Sequence, residues 1–102
     1  MENELKEERG MKKELSFITV IGKDKKGIVA KISNLLYKNN INIEDISQKV
    51  MEGFFVMAML VETSGYKKPQ ANISKELEKI GKELGLKIQI QHENIFNKMH
   101  RV

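Results

Sequence analysis

The chain of 102 residues has no cysteine and a formal net charge of +4 at neutral pH. Its length suits one domain with its own buried core, and the missing thiols exclude disulfides, a thiolate nucleophile and a thiolate metal site. No apolar run is long enough to span a bilayer and the amino terminus lacks a signal-peptide core, so a cytoplasmic protein with no membrane partner is expected.

Residues 1–11 are charge-rich and offer almost nothing to bury. They are expected to form a disordered extension, with residues 12–102 as the single domain. Leu15–Ile21 has the β-branched and aromatic content of a first strand, broken at Gly22. Asp24 is a candidate N-cap, since its carboxylate could accept from the free amides of a first helical turn. Gly27 lacks a Cβ and would let another backbone or a ligand approach closely. Ile28, Val29, Ile32, Leu35 and Leu36 then form one apolar stripe of a helix, which Asn39 or Asn40 can stop by taking the left-handed conformation.

Ile41, Ile43, Ile46 and Val50 mark a second strand. The step from Ile43 to Ile46 is three residues instead of two, which predicts a bulge or sharp twist near Asp45. Glu52–Gly53 reads as a compact hairpin turn. Phe54–Val61 is apolar throughout, as in a central strand with both faces covered. Pro69 suits a helix start; Ile73, Leu77, Ile80 and Leu84 share one stripe, and Gly85 ends it. Leu86, Ile88 and Ile90 alternate with polar residues as a half-exposed fourth strand. Ile95, Phe96 and Met99 sit at helical spacing and predict a short terminal helix.

The order β-α-β-β-α-β predicts an α+β, ferredoxin-like sandwich: an antiparallel sheet with both helices on one face and strands one and three innermost. The opposite face and the edge strands stay available to another chain. A homodimer is the economical explanation for so apolar a third strand.

The loop between the first strand and the first helix is the place for chemistry. Unpaired amides and the positive end of the helix dipole suit a small anion such as a carboxylate, although Asp–x–x–Gly is also compatible with plain capping. RNA-recognition domains share this topology, but their third strand carries two aromatics spaced two apart on the open face. Here Phe54 and Phe55 are adjacent and face opposite sides, and the bases are lysines dispersed among 14 acids, with Arg9 and Arg101 the two arginines. This argues against nucleic acid. His92, Glu93 and His100 lack a recognised metal-ligand spacing. No serine sits in a nucleophile-elbow context, so neither a metal, a cofactor nor an enzyme activity is expected.

The run IGKDKKGIVAKISNLLYKNNINIEDISQ resembles the start of an ACT domain, the small regulatory module that senses amino acids. Its pattern is an acid, two variable residues, glycine, an apolar helix, a break and Asn-Ile. With NIEDISQ (Asn42 to Gln48), the apolar third strand and the terminal QHENIFNKMHR, residues from Leu15 to Val102 are similar to stand-alone single ACT-domain proteins related to the glycine-cleavage-system repressor. The resemblance implies association of protomers and binding of an amino acid at their interface. Asp24, Gly27 and Ile28 match the family's ligand-contacting loop and helix start, and Asn42 matches its strand-two asparagine. The implied roles are amides near Gly27 holding the carboxylate, and Asp24 or the Asn42 side-chain oxygen accepting from the ammonium. Lys26 departs from the proline common in the family and adds a cation that can assist with the anion. The protein that would receive the signal is not specified by these residues, and a protein-interaction module without ligand is the alternative.

Overall fold

The computed structural model describes residues 13–94. In chain order they form β1 (Leu15–Lys23), α1 (Ile28–Lys38), β2 (Asn42–Met51), β3 (Phe54–Glu62), α2 (Gln70–Leu84) and β4 (Leu86–His92). The charged extension and the terminal helix expected around Ile95, Phe96 and Met99 lie outside the described residues. The strands make one sheet in the order β2-β3-β1-β4 with every neighbouring pair antiparallel. This is the ferredoxin-like arrangement, with β1 and β3 innermost.

Both helices cover one sheet face, and the core lies between them and it. Ile18 and Val20 of β1, Met57, Met59 and Val61 of β3, Ile32 and Leu36 of α1, and Ile73 and Leu77 of α2 are almost completely buried. These positions are those that the period-2 and period-3.6 patterns place on one side of each element. Ile80 and Leu84, on the same stripe of α2, pack half-buried at its margin.

The third strand differs from expectation in an informative way. Although apolar from Phe54 to Val61, β3 alternates: Phe55, Met57, Met59 and Val61 are buried, while Phe54, Val56 and Ala58 are exposed. The outer face of the sheet is therefore apolar, with Phe54, Val56 and Ile21 among its exposed side chains. Gly22 does not end β1 either, since the strand runs on to Lys23. A Cβ at Gly22 would stand 2.6 Å from Leu86 Cδ2 and 2.9 Å from the Gly85 carbonyl oxygen. Its glycine admits the start of β4 rather than breaking the strand.

Other local signals took their expected form. The β2–β3 register shifts between Ile43 and Asp45, and the Asp45 carboxylate accepts from the Ile46 amide at 2.9 Å beside that bulge. Asn40 is left-handed (φ 58°) just after α1, where the Asn39 side-chain amide donates to the Leu35 carbonyl at 2.7 Å. Gly85 ends α2 in the left-handed region. Glu52 and Gly53 both have positive φ, as the two-residue hairpin turns that match strand twist require.

Ile32 lies where α1 meets the sheet. Ile32→Ala should lower unfolding free energy by roughly 2–5 kcal/mol, read as an earlier urea midpoint at unchanged slope.

Candidate functional site

The corner between β1 and α1 is built by Gly27. With φ 84° and ψ 4°, it is left-handed and occupies the N-cap position itself; a residue with a Cβ would be strained there. Its carbonyl accepts from the Lys31 amide at 2.9 Å, the first bond of the helix. No side chain caps α1 and no acid occupies its first turn, so the helix presents uncapped amides with their partial positive charge.

This corrects two expectations. Asp24 does not cap α1. The turn at Lys26–Gly27 intervenes, and the Asp24 backbone amide donates instead to the Gly53 carbonyl at 2.9 Å, tying the corner to the β2–β3 hairpin. Nor does another backbone approach closely at Gly27: a Cβ there would meet nothing within 4 Å. The requirement is conformational, and the space on that side is open. Asp24, Lys25, Lys26 and Gly27 are all exposed, whereas Ile28 is buried and anchors the helix start in the core. Three lysines (Lys23, Lys25 and Lys26) against Asp24 make the corner net basic.

Asn42 lies elsewhere. It opens β2 opposite Glu62, while Lys23, the last residue of β1, pairs with Phe54. These are opposite ends of the sheet, roughly 25 Å apart at ~3.3 Å per strand residue. The Asn42 side-chain amide donates to Glu44 Oε2 at 3.0 Å, which leaves its carbonyl oxygen directed away from that bond. Asn42 also borders a cavity of about 180 Å³ with Tyr37, Asn40 and Ile41. Asp24, Lys26, Gly27 and Ile28 are thus brought together, and Asn42 is not with them in the same chain.

Tyr37 was not singled out from sequence. It is 83% exposed on α1, just past the buried stripe and beside Asn42. The available signal was an aromatic ring placed off the apolar face of an amphipathic helix. A second cavity of about 240 Å³, between the start of β1, the β3–α2 loop and α2, was also not foreseen; it is lined by Glu14, Tyr66, Lys68 and His92 among others. There, His92 Nδ1 accepts from the Asn94 amide at 3.2 Å, so its Nε2–H donates to Glu14 at 2.7 Å. Burial first, and then the charge of Glu76, hold the Tyr66 phenol above its ordinary pKa, partly offset by a backbone hydrogen bond from Ile73. Among the described residues no three side chains are grouped to hold a metal ion, and no helix is long and apolar enough to cross a membrane.

The ACT domain family model matches residues 14–91. A UPF0237 protein of Methanocaldococcus jannaschii is 53% identical over 85 residues, covering 83% of this chain and 94% of that protein. Among solved structures, an ACT domain protein from Streptococcus pneumoniae superposes with a TM-score of 0.72 at 40% identity, over 81% of this chain and 93% of its own. A candidate glycine cleavage system transcriptional repressor has the same fold, with a TM-score of 0.67 at 21% identity over 78% of this chain and 46% of that one.

Because Gly27 is left-handed with free space around it, Gly27→Ala should cost about 1–2 kcal/mol of stability. Gly27→Asn should cost less, since asparagine tolerates both this conformation and the N-cap position. Chemical denaturation of the two variants checks the order, which would reverse if crowding were the constraint.

Proposed function

The chain belongs to the ACT domain family, and from that premise we propose that it is a small homodimeric regulatory module that binds an amino acid where two copies meet. The observation that carries this reading is the separation of its two half-sites. The corner with Asp24, Lys26, Gly27 and Ile28 is at one end of the sheet and Asn42 is at the other, so a site using both needs two chains.

The edge strand β2 supplies a way to join them. Among the described residues it pairs only with β3, is exposed along almost its whole length, and carries Ile46 and Val50 as exposed apolar residues. Beyond the bulge, its free backbone edge can pair with that of a second copy. An antiparallel pairing centred on Ser47 sets Asp45 against the partner's Lys49, two opposite charges at facing positions. The same two-fold brings Asn42 toward the end of the partner's sheet that carries the partner's corner. Symmetry then generates two equal sites per dimer.

Each site has the groups an amino acid requires. The uncapped α1 amides, assisted by Lys26, take the carboxylate. Asp24 or the Asn42 carbonyl oxygen accepts from the ammonium, and Tyr37 borders the space for a side chain. Occupancy would tighten the dimer and pass to another protein as a change in its surface. The S. pneumoniae relative's description as an ACT domain protein supports the module without naming a ligand.

A thermal-stability screen against the twenty amino acids tests this. An amino acid at ~100 times its dissociation constant should stabilise the native state by roughly 2.7 kcal/mol, a shift of several degrees for a domain of this size, and Asn42→Ala should abolish it. No shift with any amino acid would favour the interaction module without ligand.

A further inference from the structure

The cavity of about 240 Å³ between the start of β1, the β3–α2 loop and α2 shares no lining residue with the corner or with Asn42. It lies on the helix-covered side of the sheet, within one protomer, with Ile73 of the core in its lining. At ~30 Å³ per water its room equals that of about eight waters, which suits a small metabolite.

One wall is held by hydrogen bonds already made. His92 Nε2–H donates to Glu14 Oε2 at 2.7 Å, the Thr63 hydroxyl donates to the Glu14 carbonyl at 3.2 Å, and Ser64 Oγ accepts from the Glu14 amide at 3.4 Å. The groups left over are mostly donors. No side chain caps α2 and no acid occupies its first turn. The Asn72 amide donates to the Pro69 carbonyl at 2.9 Å and the Ile73 amide to the Tyr66 phenol. Among the described residues, the Gln70 and Ala71 amides of that turn then stay free. Lys68 and the Gln70 carboxamide line the same space. Burial, and then the charge of Glu76, hold the Tyr66 phenol protonated, and with its oxygen accepting from Ile73 its hydrogen is available to donate. The opposing charge is Glu14, whose second carboxylate oxygen can still accept.

A buried hydroxyl adds a second observation. Among the described residues, Ser16 Oγ is the one buried side-chain polar atom without a hydrogen bond. Ser16 is fully buried, pairs with Val61 and His92 across the sheet, and stands two residues from Glu14 on the same face. Its hydroxyl therefore lies under the wall that Glu14, Thr63 and His92 form, where buried polar groups ordinarily have a partner. We propose that this cavity binds a small monoanionic hydroxycarboxylate, its carboxylate on the α2 amides and Lys68 and its hydroxyl between Tyr66 and Glu14. A hydroxyl donates to Glu14 while accepting from Tyr66, whereas an ammonium brings only donors to a space already rich in them. A dianion such as phosphate is disfavoured, because Lys68 is the one lysine or arginine in the lining and Glu14 faces the same space.

Backbone amide NMR of the full-length chain, titrated with glycolate, lactate and glycerate, tests this. At least one of the three should give saturable shifts at Ser16, Ser64, Tyr66 and Gln70, with the Gly27 and Asn42 amides unmoved. Its Kd should rise about tenfold or more in Lys68→Gln, and by a similar factor when acetate or propanoate replaces the hydroxy acid, as loss of a charge-assisted hydrogen bond predicts. Lys68 is exposed, so the variant should keep its thermal midpoint without ligand. No saturable shift with any of the three would overturn the proposal, as would shifts confined to Gly27 and the start of α1, which would support the corner alone. Shifts that Lys68→Gln leaves unchanged would overturn the carboxylate's placement. Tighter binding of glycine at the same amides would overturn the hydroxyl and put an ammonium at Glu14.

Discussion

The structure depends on a sheet that is covered on one face. Two split βαβ units return both helices to the same side of the sheet. Among the described residues, the fourteen buried apolar side chains that form the core are then shared between that side of the sheet, the two helices and the chain leading into β2. Among the described residues, the other face and β2 carry most of the exposed large apolar side chains. The domain can be stable with such surfaces exposed, since a core of this kind suffices for folding. Yet Phe54, Val56, Ile21 and Met51 lower the free energy further only when something covers them. The same one-sided coverage separates the corner at Gly27 from Asn42, because the two ends of an antiparallel sheet cannot meet within one protomer.

Much of this was legible in the residues. Period-2 and period-3.6 apolar patterns gave the six elements, and the three-residue step from Ile43 to Ile46 located the bulge. Asn40 and Gly85 marked helix ends through the conformations they tolerate. The inner position of β1 and β3 followed from topology. Less legible were features set by long-range geometry. Phe54–Val61 is apolar on both faces in sequence, and only the sheet shows that Phe54, Val56 and Ala58 on one of them are exposed. Gly22 looks like a breaker until β4 is seen to approach it.

At the corner between β1 and α1, the capping expected of Asp24 did not hold. Asp24 has the chemistry of an N-cap, but capping depends on the conformation of the residue immediately before the helix, and Gly27 takes that position in the left-handed region. The consequence favours an anion site, because a helix start without a capping carboxylate keeps its amides available. Lys26, where the family commonly has proline, then stands beside those amides. Asn42 was matched to the corner by resemblance alone, and no local signal could indicate that it lies at the opposite end of the sheet from it. Tyr37 escaped notice for the related reason that a residue off the buried stripe looks like ordinary surface.

The most direct test of the account is complementation between two defective chains. One carries Asn42→Ala and the other carries Asp24→Ala with Lys26→Ala. They are co-refolded, the mixed dimer is isolated through different affinity tags, and calorimetry measures binding of the amino acid that most stabilises the unaltered chain. If each site takes its corner from one chain and Asn42 from its partner, neither variant alone binds. The mixed dimer then recovers one intact site per two chains at the original affinity. A mixed dimer that binds no better than the two variants alone would contradict a site shared across the β2 edge.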